Sequence, residues 1–285
     1  MTCGEMIRDW RLRRRRTQLD LALAVGVSAR HLSFVETGRA RPSRRLVTAL
    51  GEHLDMPLGA RNAALLAAGF APAYSAHGLD DAPMRPVRAA LETVLAAHEP
   101  YPALVLGAGF DLVTANTGAA LFVAGVDAAL LAPPLNVMRL TLHPAGLAPR
   151  LLNHAQVRES VLARVRRTHE RTADPRLADL YRELRDYPAP AVAAAPDPVP
   201  GVFVPFRLRG EDGAELAFVS TLTTFGGPHD VVLESLVLEA FYPMDDGTRR
   251  ALGRGADGAD AALGEILGRA PHLAGYLPPG ADRSG

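Results

Sequence analysis

At 285 residues, with 48% of them hydrophobic, the chain has room for one large domain or two ordinary ones, each with an ample core. No run of 18 apolar residues is present and no apolar stretch follows the charged N-terminus, so neither a transmembrane helix nor a signal peptide is expected. A lone cysteine, Cys3, excludes an intrachain disulfide and fits a reducing cytoplasm. The 31 basic residues, all arginine, balance 31 acids. Their placement is uneven, however. Residues 1–57 hold 11 Arg against 6 acids and residues 201–250 hold 4 against 8, which suggests a polyanion-binding end and a different far end.

Thr2-Cys3-Gly4-Glu5 has the form of a capping box and predicts a helix through about Arg16. Thr17-Gln18-Leu19-Asp20 repeats the pattern and opens a second helix, to about Val25, which Gly26 ends. Ser28 caps a third helix of about ten residues that stops at Gly38. The short gap between the second and third makes a helix-turn-helix. Wound at 100° per residue, Leu32 and Val35 point inward, where Leu19, Ala22 and Leu23 are expected to pack on them. Ala29 and Glu36 lie at the margins, and Arg30, Ser33, Phe34 and Thr37 point outward. Arg39, Arg41, Arg44 and Arg45 follow at once. An acid-free polar face backed by a basic loop suits a helix placed in the major groove of DNA, and a solvated surface helix is the competing reading. Ser43 caps a fourth helix to about Leu54, and Pro57 suits the first turn of a fifth that ends at Gly69.

The stretch TQLDLALAVGVSARHLSFVETGR resembles the helix-turn-helix of the phage repressor and Cro class, the XRE class. Gln18, Ala22, Gly26, Val27, Ser28, Leu32, Val35, Glu36 and Gly38 carry the likeness, which runs over about residues 7–58. The resemblance implies that Gln18 touches a phosphate and that Ser28, Ala29, Arg30, Ser33, Phe34 and Thr37 face base edges. Arg39, Arg41 and Arg44 are expected on the phosphate backbone. The same resemblance pairs Arg11 with Glu36, whose inward carboxylate would be costly alone. It also implies a homodimer on a two-fold site of double-stranded DNA. Ala29 and Phe34 stand where many relatives carry a longer polar side chain, so base readout is expected to be thin there.

Residues 71–87, rich in proline and turn formers, read as a linker between a DNA-binding domain over 1–70 and a second domain over 88–250. Pro86 starts a helix to about His98. Residues 103–106 and 110–116 then read as a hairpin about Gly107-Ala108-Gly109, with Asn116 capping the next helix. That order resembles the opening of a PAS-like sensor domain. Helices are expected over 136–143, halted by Pro144, and over 154–172 and 174–187. Arg158, Arg164, Arg166, Arg167 and Arg171 on the long helix read as a solvated face or a second DNA contact. A proline-rich loop over 187–201 precedes three strands, 203–209, 215–225 and 231–242, with turns at Glu211-Asp212-Gly213 and 226–230. With the hairpin they predict a PAS-like five-stranded antiparallel sheet flanked by helices, an α+β chain overall behind an all-α N-terminal domain. Residues 251–285 read as a flexible tail with one weak helix near Ala259–Leu267.

HLSFVETGRARPSR, NVMRLTLHPAGLAPRLLN and FVSTLTTFGGPHD together look like the MmyB-like transcription regulators, over about residues 7–250. Such proteins join an XRE-class domain to a PAS-like ligand-binding domain. The likeness implies a cytoplasmic regulator that holds a small apolar ligand such as a fatty acid, with no other cofactor and no membrane partner. Phe110, Phe122, Met138, Leu142, Phe218 and Leu222 are candidate walls, each equally explained as ordinary core. Asn116, Arg139, His143 and His229 lie beside apolar runs, where a headgroup would need donors, although Arg139 is as well explained by pairing with Glu234 or Glu239. Two alternatives remain: a domain that only dimerises, and an enzyme. Catalysis is the weaker, because Ser220 lacks a GxSxG elbow, His229-Asp230 sits in a turn, and no close-spaced metal-ligand cluster or phosphate loop is present.

Overall fold

The computed structural model describes residues 1–190, 203–210, 213–255 and 259–277. The expected turn at Glu211-Asp212 and most of the 187–201 loop lie outside them. The chain divides into two compact units. One comprises Met1–Gly78 with Thr168–Ala173 and Gly226–Glu234, and the other takes the described residues between and after those pieces.

The first unit begins with five helices: α1 (Cys3–Arg13), α2 (Gln18–Ala24), α3 (Ala29–Glu36), α4 (Arg44–His53) and α5 (Leu58–Ala67). Capping boxes at Thr2/Glu5 and Thr17/Asp20 start the first two, and the Ser28 and Ser43 hydroxyls cap α3 and α4. α1 ends short of Arg16, since the chain reverses at Arg15, where φ is +53°. Ile7, Leu21, Leu32, Leu50, Leu54 and Leu65 are fully buried between the helices. The expected inward pair Leu19 and Leu23 is instead exposed, at 57% and 70%. α2 buries Leu21 and Ala22, so its inward stripe lies on the other side of the helix.

In the second unit α6 (Arg85–Ala97) leads to the hairpin β1 (Ala103–Leu106) and β2 (Leu112–Ala115). The short helices α7 (Ala120–Val123) and α8 (Val137–Leu142) precede the long α9 (His154–Thr172) and α10 (Pro175–Asp186). Then come β3 (Phe206–Arg209), β4 (Glu215–Thr224), β5 (Val237–Pro243), α12 (Asp246–Gly255) and α13 (Ala259–Arg269), while α11 (Val231–Ser235), between β4 and β5, belongs to the first unit but for its last residue. The sheet order is β2-β1-β5-β4-β3, antiparallel throughout, the PAS-like arrangement expected. Leu104, Leu106, Phe218 and Phe241 of the sheet share one core with Phe122, Leu140, Val165, Leu180 and Ile266 of the helices.

Two expectations are corrected. The helix expected near Ala259–Leu267 is present as α13, but its surroundings are not a flexible tail: Ile266, Ala270 and Leu273 enter the core. The last strand begins at Val237 rather than Val231, because the Asp230 carboxylate accepts the backbone N–H groups of Val232 (2.8 Å) and Leu233 (3.2 Å) and turns that segment into α11.

The two outlying pieces of the first unit are held by named contacts. Asp230 accepts the His77 backbone N–H at 3.0 Å and lies 2.9 Å from its ring Nδ1, while the Val231 N–H donates to the Ser75 carbonyl. Glu234 accepts the Leu58 N–H at 2.7 Å, capping α5 where Pro57 offers no side-chain acceptor. Ala173 packs on the helical core, and Arg14 donates to the Arg171 carbonyl at 3.3 Å. Burial opposes the Asp230 charge, but hydrogen bonds from His77, Ser75 and Leu233 outweigh it and hold the carboxyl down at about 2.

Candidate functional site

The outer face of α3 is set by what holds its inner face. Glu36 is 5% exposed, and its carboxylate accepts Arg11 Nε (2.7 Å) and Nη2 (2.9 Å), with Arg11 itself 8% exposed. Arg11 Nη1 also donates to the Arg16 carbonyl at 3.0 Å, which fixes the chain between α1 and α2. Hydrogen bonding to Glu36 raises the Arg11 guanidinium above its ordinary range. Gln18 Nε2 donates to the same carboxylate at 2.7 Å. That amide, expected on a phosphate, is half-buried and ties α2 to α3 through this bond. The backbone of α1 approaches closely too. A Cβ at Gly4 would stand 2.2 Å from the Val35 carbonyl oxygen, so only glycine fits there.

With its inner side pinned, α3 presents Arg30 and Thr37 to solvent, with Ala29, Ser33 and Phe34 half-buried beside them. The Arg30 guanidinium lies 5.4 Å from the Phe34 ring centre, so the aromatic ring steadies the long cation. The loop after α3 is closed by Arg39 and Ala40 N–H groups on the Phe34 carbonyl. It leaves Arg39, Arg41 and Arg44 exposed, the last beside the N-cap Ser43, which is itself exposed. A rigid helix with a cation near its front and a row of arginines behind it can meet base edges and phosphates in one groove.

The second unit contains a cavity of about 280 Å³, close to the lower end of the range for ligand pockets. Strands supply Leu112, Leu222 and Phe241, short helices supply Phe122 and Met138, and α13 supplies Leu263 and Ile266. One stripe of α9, spaced at helical intervals, faces it: Val157, Ser160, Val161, Arg164 and Arg167. Glu239 on β5 also lines it and accepts Arg164 Nη1 at 2.8 Å.

Of the ten residues expected to meet a ligand, Asn116, Phe122, Met138 and Leu222 line this cavity. The Asn116 side chain is fully engaged. It accepts the Ala103 N–H and donates to the Leu95 and Tyr101 carbonyls, so it fastens the hairpin rather than capping the next helix. Phe110 lies under Arg164 with its ring centre 5.2 Å away. Phe218 and Leu142 are wholly buried, the former edge-on to Phe122 and Phe241. Arg139 pairs with neither Glu234 nor Glu239. Its fork grips Glu183 at 2.6 and 2.8 Å, and the Tyr187 hydroxyl donates to the same carboxylate. Those hydrogen bonds, Arg139's first, lower the Glu183 carboxyl. His143 stacks edge-on to Tyr187 at 4.9 Å, and His229 is exposed in the first unit. Arg164, Arg167, Ser160 and Glu239 were absent from the expected set. The signal available for them was the alternation of Val157 and Val161 with polar neighbours three and four residues apart.

A helix-turn-helix joined in one chain to a PAS-like domain that holds a cavity is the architecture of a DNA-binding transcription regulator with a ligand-binding domain. A helix-turn-helix family model matches residues 7–60, and the model of the MmyB-like transcription regulator ligand binding domain matches residues 87–254. The chain belongs to the MmyB-like transcription regulators. No protein of curated function matched it. Among the described residues no helix is long and apolar enough to cross a membrane.

Proposed function

We propose that the cavity of the second unit takes a small apolar ligand such as a fatty acid, and that filling it changes the affinity of a homodimer of this chain for a two-fold operator. The observation that carries this reading is the membership of the first unit. Residues 168–173 continue α9, and residues 226–234 join β4 to β5, and all three elements line the cavity. A ligand that shifts those walls therefore pulls on segments that cap α5 through Glu234 and clasp Ser75 and His77 through Asp230. In this reading the protein acts as a regulator and performs no turnover. The test is native mass spectrometry of the intact protein after purification and after incubation with medium- and long-chain fatty acids. An adduct of one acyl chain per protomer is expected. A chain that stays empty with every acid would overturn the ligand reading and leave a domain that only dimerises.

A further inference from the structure

The apolar walls fit any aliphatic tail, so selectivity must come from the few charged groups among them. Among the described residues, the titratable ones lining the cavity are Arg164, Arg167, Glu239 and Tyr276, a formal charge of +1. Glu239 belongs to the central strand β5, directly opposite Leu104 on β1 and Leu222 on β4, both of them lining residues. Its carboxylate, 9% exposed, thus stands on an apolar wall, where a charge without a partner is costly.

Its partner is held loosely. Arg11 and Arg139 each grip a glutamate with Nε and Nη2 together. Arg164 reaches Glu239 through one Nη alone, with the Phe110 ring against its face. Among the described residues its Nε and other Nη are left over for another acceptor. Arg167 stands one helical turn further along the same stripe, exposed at the cavity edge. Two cations and one carboxylate, with the nearer cation half-engaged, favour a single negative charge at the end of an apolar tail.

We propose that Arg164 and Arg167 form the headgroup subsite for a monoanionic amphiphile and that Glu239 competes with the ligand for Arg164. The inference rests on the cavity reading given above. Glu239 sets the threshold: it keeps Arg164 solvated by a carboxylate when the cavity is empty, and it repels or yields to the incoming headgroup when the cavity fills. A neutral amphiphile of equal length receives the tail contacts only.

The test compares dodecanoate with dodecanol on the full chain by isothermal titration calorimetry, at a pH well above the carboxylic acid range. Dodecanoate should bind about tenfold or more tightly than dodecanol, as one charged hydrogen-bonding group is expected to give. Glu239→Gln should tighten dodecanoate severalfold and leave dodecanol unchanged. The double variant Arg164→Gln/Glu239→Gln keeps a neutral hydrogen-bonded pair, so the cavity is preserved; it should bring dodecanoate down toward dodecanol. Dodecanol affinity reports cavity integrity in each variant. Equal affinities in the unaltered protein, or a Glu239→Gln variant that binds dodecanoate no better, overturn the headgroup assignment while the cavity reading stands. Binding of neither amphiphile removes both.

Discussion

Glu36→Ala should cripple the first unit without touching its DNA-facing side chains. The carboxylate is 5% exposed and accepts three N–H groups, two from Arg11 and one from Gln18. Its removal leaves the Arg11 guanidinium buried with only the Arg16 carbonyl for a partner. Breaking one side of a buried pair costs roughly 3–5 kcal/mol, a large share of the 5–15 kcal/mol that holds a typical domain together. With a urea dependence of about 1–3 kcal/mol/M for a small unit, the unfolding midpoint should fall by about 2 M. Trp10, the one tryptophan of the chain, is buried in this unit with the Arg14 guanidinium 5.1 Å from its ring, so its fluorescence reports this transition in the full-length protein. Replacing both partners, as Arg11→Met/Glu36→Leu, should recover much of the loss, because no buried charge is then orphaned. An unchanged midpoint for Glu36→Ala, or a double variant no better than the single, would mean that the Arg11–Glu36 pair does not hold this unit together.

Arg30→Ala should cost about 1–3 kcal/mol on the operator and flatten preference at one base pair per half-site; an equal loss on random DNA would make it a backbone contact. Removing Arg39, Arg41 or Arg44 singly should weaken binding to all sequences and lower the slope of log affinity against log salt by about one unit, and an unchanged slope would exclude that residue from the phosphates. Asp230→Ala should release residues 226–234 from His77 and Ser75, so that ligand still binds but no longer alters operator affinity; a persistent ligand effect would place the coupling elsewhere. Because the Asp230 carboxyl is held at about 2, below the ordinary value of about 3.9, its contribution is fully present above about pH 4 and fades as pH falls through about 2. Hydrogen-exchange protection of the Val232 and Leu233 amides should accordingly persist at pH 4, and its loss well above that pH would contradict the clasp.

The helix-turn-helix was legible because its signals are local. Caps at Thr2, Thr17, Ser28 and Ser43 and the reversal at Gly38 fall within a turn of the helices they bound. The antiparallel five-stranded sheet was legible in outline, since periods and turns mark strands, whereas the order β2-β1-β5-β4-β3 comes from the structure. What stayed hidden depends on distant partners. Val231 and Val232 read as strand until Asp230 is seen to take the amides that follow it. Arg139 offered itself as a headgroup donor because nothing in its neighbourhood announces Glu183, forty-four residues on. Arg164 and Arg167 differ from the other arginines of α9 only in sharing a stripe with Val157 and Val161, and a helix of mixed polarity does not declare that this stripe meets a cavity. The stretch after Arg250 looked too rich in glycine and alanine to pack, yet Ile266 and Leu273 suffice to anchor it.

If occupancy of the cavity regulates DNA binding, the energy must come from the buried tail. A dozen buried methylenes contribute on the order of 10 kcal/mol before entropic losses, but only the difference between DNA-competent and incompetent states regulates, typically about 1–3 kcal/mol. The most telling titration is of operator affinity of the full-length protein, at fixed salt, with a fatty acid whose binding to the same preparation has been verified. Operator affinity should change by about five- to hundredfold and saturate with cavity occupancy. Tight, stoichiometric ligand binding with an unaltered operator affinity would contradict it.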